Sequence, residues 1–323
     1  MFYNNKTNLV QLRMKENIKK FEKLSGKYSL VNMLIIICQI SLWAYLIELM
    51  HGNFSLYFKV PVLLLFILVM QGIFSMMHEC THSVAFKNKK LNYLVGCFIS
   101  IPFCINFRLY SAYHKSHHSR NRSRTELADV IFPGESGRKK IIIYYFAIMG
   151  GLWILPVVAS IILPLLPLSF VKKLRSYKST MTYVHIFDLI DSKKWAFMRL
   201  ELISAIVFWW VAISFFHWNW QTLAICYAAL AFSWSSLQWI YHIRTPFHVM
   251  DGALDLRLPR ILSVLILNFN YHLTHHKHPK IPWNNLKNAS ETKSPESLWL
   301  RYLKLFKPPQ PIHDLSIIEK IKP

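Results

Sequence analysis

Five long apolar runs, at residues 30–50, 58–77, 141–170, 201–216 and 221–241, constrain this chain more than any other feature. A helix needs ~20 apolar residues to cross the hydrocarbon of a bilayer. A spanning segment must also satisfy its own backbone polar groups, which a helix does. The pattern therefore predicts an all-α, polytopic membrane protein. Composition agrees, since 53% of the 323 residues are hydrophobic and only 17% are charged, against about a quarter in soluble domains.

The formal net charge of +22 raises the question of nucleic acid. Its distribution answers otherwise. Cations crowd the N-terminal segment (Lys6, Arg13, Lys15, Lys19, Lys20, Lys23, Lys27), residues 87–140, residues 172–199 and the C-terminal arm, and are absent from 51–57 and 217–220. That is the positive-inside asymmetry, which places the two short connections outside and the rest in the cytoplasm, beside membrane lipid and with no nucleic-acid partner. The first 28 residues are polar and lysine-rich, unlike a cleavable signal, so the first span is expected to target the chain as well. The expected division is a basic cytoplasmic tail at 1–28, a membrane domain at 29–290 and a cytoplasmic arm at 291–323, whose proline-rich stretch 307–311 suggests mobility. Cys38, Cys80, Cys97, Cys104 and Cys226 stand singly and read as packing residues.

Threading the runs from the inside, 30–50 leads out and 58–77 returns, delivering His78 to the cytoplasmic face. Segment 91–106 is short and is followed by Arg108, Lys115, Arg120, Arg122 and Arg124, so it reads as re-entrant or interfacial. The run 141–170 carries Gly150, Gly151, Pro156, Pro164 and Pro167 and reads as a helical hairpin dipping into the membrane. Runs 201–216 and 221–241 go out and back, delivering His242. The expected architecture is four transmembrane helices plus a re-entrant or interfacial helical hairpin, with a cytoplasmic helical cap.

Eight of the 15 histidines fall in three clusters: His78 and His82; His114, His117 and His118; His272, His275 and His276. Residues three and four apart share a helix face, so each cluster is a metal clamp. Desolvating so many imidazoles at a membrane edge is costly unless a cation replaces water, and neutral imidazole suits iron, zinc and copper. Zinc is satisfied by about four ligands; eight or more fit two octahedral irons, each holding four or five imidazoles. The all-nitrogen set differs from carboxylate-rich di-iron bundles. His78-Glu79-Cys80-Thr81-His82 is also the HExxH of zinc proteases, but a protease has no use for two HxxHH triplets. Glu79 then reads as a partner orienting an imidazole or as a helix-cap residue. A metal transporter would carry its ligands at mid-membrane rather than at the helix ends.

The three clusters, in this order and with these spans between them, resemble the membrane fatty acid desaturase superfamily, which includes lipid hydroxylases and carotenoid ketolases. The first box is His78-Glu79-Cys80-Thr81-His82-Ser83 and the second His114-Lys115-Ser116-His117-His118. The third runs from Asn270 through His272, His275 and His276 to Pro279 and Ile281-Pro282-Trp283. The likeness covers about residues 30–290. It implies a further histidine between the last span and the third box, with His242 favoured and His248 a nearby or solvated alternative, and it makes Asn270 a candidate for holding water.

The resemblance also implies a pair of irons using dioxygen as co-substrate to remove hydrogen from an unactivated methylene of a fatty acyl or other lipid chain. Desaturation ranks first, with hydroxylation, ketone formation or terminal-alkene formation as alternatives. The sequence has no CxxCH, no GxGxxG and no iron–sulfur cysteine set, so electrons are expected from an external ferredoxin, rubredoxin or cytochrome. Arg120, Arg122, Arg124, Arg138, Lys139 and Lys140 are candidates to dock that donor or to face lipid headgroups. Trp209, Trp210, Trp218, Trp220, Trp234 and Trp239 suit either an acyl tunnel or packing and interfacial belts.

Overall fold

A computed structural model describes residues 16–24, 26–174, 192–314 and 316. Lys6, Arg13 and Lys15 of the basic tail and His185 lie outside the described residues. The fold is helical. Its strands are two residues long, in two parallel pairs that join Val130–Ile131 to Gln310–Pro311 and Leu256–Arg257 to Glu296–Ser297.

Helices α1 (Ser29–His51) and α2 (Leu56–Thr81) form one hairpin. The short helices α3 (Lys89–Ser100) and α4 (Phe107–Arg120) follow, bent by 98°. Next come α5 (Gly137–Phe146), a π-turn at Ala147–Gly151, α6 (Leu152–Leu165) and α7 (Leu168–Leu174). A second long hairpin consists of α8 (Ser192–Phe216) and α9 (Trp220–Trp239). Four short helices end the chain: α10 (Arg260–Leu265), α11 (His272–Lys277), α12 (Trp283–Ala289) and α13 (Leu298–Leu305).

The turns of the two hairpins adjoin. Glu48 accepts a hydrogen bond from the Trp218 indole at 2.6 Å, and Asn219 meets His51 at 3.0 Å. Both turns therefore lie at one end of the bundle, and the opposite ends of α2 and α9 deliver His78, His82 and His242 together. Burial follows the same axis, since every residue of α2 from Val69 to Thr81 is buried. Gly72 lets this helix approach α10, because a Cβ there would stand 2.7 Å from the Leu265 carbonyl oxygen.

Among the described residues, four helices are long and apolar enough to cross a membrane, α1, α2, the 29-residue unit Gly137–Leu165 and α8, with the bent pair α3–α4 a fifth candidate if it is one span. They make the protein an integral membrane protein. The membership of this set differs from the sequence expectation, which read 141–170 as a hairpin and 221–241 as a span. Gly137–Leu165 consists of two helices that meet at a kink in the π-turn, where Gly150 adopts φ +135°. The break is accommodated by α9, whose Ser235 hydroxyl accepts from the Trp153 N–H at 3.1 Å while Ala231 lies against Gly150. Helix α9 itself packs against α1, α2, α6 and the π-turn. That shelter lets it carry Thr222, Ser235 and Ser236 buried.

A Gly150→Ala change forces an L side chain into a conformation that costs about 1–3 kcal/mol. It is expected to lower the thermal midpoint in detergent; an unchanged midpoint would mean that the break can relax.

The bend between α3 and α4 is satisfied internally, as buried non-helical backbone requires. The Asn106 N–H donates to Ser160 at 2.8 Å and its side-chain amide to the Met198 carbonyl at 3.0 Å, while its oxygen caps α4 at the Leu109 N–H.

The proline-rich stretch, expected to be mobile, is docked. Arg244 donates to the carbonyls of Lys304, Lys307 and Pro308, Tyr145 donates to that of Phe306, and Gln310–Pro311 completes a parallel pair. Part of the basic tail is docked as well, with Ile18 and Phe21 against Ile281, Leu286 and Ala289.

Candidate metal centre

All nine histidines singled out in the sequence converge at one end of the bundle, in two groups. The first contains His78 and His82 from the end of α2, His114 and His118 from α4, and His275 from α11. The second contains His117 from α4, His242 from the turn after α9, and His272 and His276 from α11. Within each group one ligating atom per residue lies within 4.8 Å of every other.

Helical periodicity explains the division. Positions 114 and 118 stand one turn apart on one face of α4, while 117 is rotated to the neighbouring face. On α11 the same spacing separates 275 from 272 and 276. The two groups touch where the His118 and His276 rings stack at 4.3 Å between centroids.

The contacts between ring nitrogens are those of a ligand set. His82 Nε2 lies 2.8 Å from His114 Nε2, which is 3.0 Å from His118 Nε2, which is in turn 3.0 Å from His275 Nε2. In the second group, His242 Nε2 lies 3.3 Å from His117 Nε2 and 3.0 Å from His272 Nε2. Adjacent ligands around an octahedral ion with metal–imidazole bonds of ~2.1 Å stand about 3 Å apart.

Hydrogen bonding alone does not account for these contacts, because a neutral imidazole nitrogen offers either one hydrogen or one in-plane lone pair. His117 directs Nδ1 to the Glu126 carboxylate at 2.7 Å, and His242 directs Nδ1 to the Gly252 carbonyl at 3.0 Å. Both partners only accept, so with both rings neutral the two Nε2 lone pairs face each other. A shared cation resolves that repulsion. The Nε2 atoms of His78 and His276 are also buried without a hydrogen-bond partner.

Burial first, and then the surrounding imidazoles, hold His272, His275 and His276 well below the usual histidine pKa. Burial and His117 do the same for His242. These rings are neutral at pH 7, the form that ligates.

The residues expected to stand behind the ligands are placed differently. Glu79 is buried, but its Oε2 accepts from the Trp283 N–H at 2.9 Å, at the start of α12, so it serves as a helix-end acceptor rather than an imidazole partner. Asn270 is buried, accepting from Ser263 at 2.6 Å and donating to the Leu256 carbonyl at 2.8 Å, which braces the segment leading into α11. His248 belongs to neither group; it is exposed and lies 3.2 Å from Asp251. His51, His217, His278 and His313 also lie outside both groups.

Three supports had no signal in the sequence: Glu126, the Gly252 carbonyl and Asp255. Asp255 accepts from the Thr274 N–H and hydroxyl at 2.9 and 2.6 Å and from Ser290 at 2.6 Å, pinning α11. Each support reaches its partner across a loop, where no helical or strand period applies.

A cavity of about 370 Å³ opens beside both groups. Its wall includes His78, His114, His117, His242 and His272 with Phe74, Leu152, Leu155, Trp234, Trp239 and Phe269, and Arg124 and Lys140 also line it. Of the six tryptophans considered for a tunnel, Trp234 and Trp239 line this cavity. Trp209 and Trp218 pack edge-on against Trp43, and Trp210 and Trp220 are exposed. Arg122, expected on the basic surface, is instead buried against Asp129 at 2.6 Å.

An integral membrane protein with a polyhistidine metal-binding cluster in two adjacent groups beside an apolar cavity is the class these features define. The fatty acid desaturase family model matches residues 31–303, and the chain belongs to that family. It is 23% identical over 242 residues to the omega-6 fatty acid desaturase, chloroplastic, of Spinacia oleracea, a match covering 72% of this chain and 52% of the relative. It is 21% identical over 248 residues to a fatty acid desaturase of Bacillus subtilis (strain 168), covering 69% of this chain and 64% of the relative. The chain thus spans less than two thirds of the length of either relative.

Proposed function

We propose that this protein is an oxygen-dependent di-iron desaturase that introduces a double bond into the alkyl chain of a fatty acyl lipid. The observation that carries the reading is the pairing of one five-imidazole group with one four-imidazole group, in contact and both facing one cavity. His78, His82, His114, His118 and His275 would hold one iron, and His117, His242, His272 and His276 the other. A bound iron pair supplies the oxidising chemistry by which dioxygen removes hydrogen from an unactivated methylene.

The chain's own residues do the rest. Phe74, Leu152, Leu155, Trp234 and Phe269 bind the alkyl chain against the two groups and exclude water. Glu126 and the Gly252 carbonyl orient His117 and His242 so that Nε2 faces inward. Forming the alkene while reducing dioxygen to two waters consumes two electrons and two protons, and the electrons come from an external ferredoxin, rubredoxin or cytochrome. The exposed cations Arg124, Arg138 and Lys139 suit an acidic donor. The lysine and arginine asymmetry along the chain supports a cytoplasmic site.

The test is mass spectrometry of lipids from cells expressing the wild-type chain or His275→Ala. The expected wild-type product is lighter than its precursor by two hydrogens and is missing with the mutant. A product heavier by one oxygen would identify a hydroxylase, and purified protein holding a single zinc would overturn the di-iron reading.

A further inference from the structure

Among the described residues, His117 is the only one of the nine clustered histidines within ion-pair distance of a carboxylate: Glu126 Oε2 lies 2.7 Å from its Nδ1. The other oxygen of Glu126 is buried without a hydrogen-bond partner. The two side chains are 15% and 10% exposed, and both line the cavity. Among the described residues no carboxylate backs the five-histidine group, and the buried Nδ1 of His275 has no hydrogen-bond partner.

We propose that Glu126 is the positioning residue of the four-histidine group: by accepting from His117 Nδ1 it fixes the tautomer that turns Nε2 toward the metal, raises that ring's donor strength, and so makes the two metal positions unequal. The asymmetry offsets ligand number. The group with one imidazole fewer has the one carboxylate that would strengthen an imidazole toward a bound metal. Partners behind a metal-bound histidine are typically worth 10–100-fold in metal affinity.

This inference rests on the two-metal reading, and the experiment separates their failures. Wild-type, Glu126→Gln and Glu126→Ala proteins are purified, and iron per chain is followed by elemental analysis during titration with a chelator, beside Mössbauer spectra of the iron-57 forms. The expected wild-type result is two irons released in two steps. In both variants one step moves to a roughly 10–100-fold lower chelator concentration, and the Mössbauer component it represents fades first, while the other step and its component stay in place. Wild-type protein without two irons would sink the di-iron reading, and this inference with it. Two irons in the wild type with both steps unmoved in the variants, or with both steps moved together, would overturn the role of Glu126 alone. The second of those outcomes would mark it as a general support of the fold.

Discussion

Replacing His242 by alanine is expected to abolish lipid product, whereas the same change at His248 leaves product within about twofold of wild type. Both residues lie in the same eight-residue stretch after α9, and the sequence offers either as the additional ligand. The structure separates them physically. His242 is buried, its Nδ1 is committed to the Gly252 carbonyl, and its Nε2 stands 3.0 and 3.3 Å from those of His272 and His117. His248 is exposed, near Asp251 and away from both groups. Removing a ligand of the smaller group leaves three imidazoles, so the loss should exceed the roughly 10–100-fold attached to an outer partner. A surface change away from such features is typically within about 0.5 kcal/mol. Product measured by mass spectrometry and iron measured per chain check the pair. Equal losses at the two positions would mean that the turn after α9 is placed differently from what is described here.

Replacing Asp129 by alanine is expected to cost about 3–5 kcal/mol of stability, the usual consequence of leaving one partner of a buried ion pair uncompensated. Its Oδ1 lies 2.6 Å from Arg122, whose side chain is 2% exposed, and its Oδ2 accepts from the Arg244 N–H at 2.6 Å. Arg122 also donates to the Thr245 carbonyl at 3.1 Å, so the pair ties the loop after α4 to the turn that carries His242. The mutant should accumulate poorly or unfold at markedly lower temperature in detergent. A second change, Arg122→Met, should recover part of the loss by removing the stranded charge. If Asp129→Ala alone melts like wild type, water reaches the guanidinium and the pair is not as dry as its burial indicates.

Much of the centre was legible because its logic is local. HxxxH and HxxHH spacings place rings on common helix faces whatever surrounds them, and long apolar runs report lipid directly. The partners behind the rings were not legible: Glu126 comes nine residues after His117 and reaches it across a loop, and Gly252 contributes only a carbonyl. For Glu79 the sequence offered an imidazole partner or a helix-cap role, and its carboxylate accepts from the Trp283 N–H, 204 positions away, at the start of α12. Gly and Pro in 141–170 announced a break, and at that break the Ser235 hydroxyl of α9 accepts from the Trp153 N–H.

The amino-acid order by itself determined that the chain is a helical membrane protein, that eight histidines fall in three clusters spaced as metal clamps, and that their number exceeds what one ion takes. Those properties depend on periodicity and composition, which act over a few turns. Tertiary structure decided which helix faces meet to make groups of five and four, that His242 joins them rather than His248, that Arg122 is buried rather than displayed, and that the C-terminal stretch is docked. Each of these depends on which distant segments meet in three dimensions, and packing, not spacing along the chain, brings those segments together.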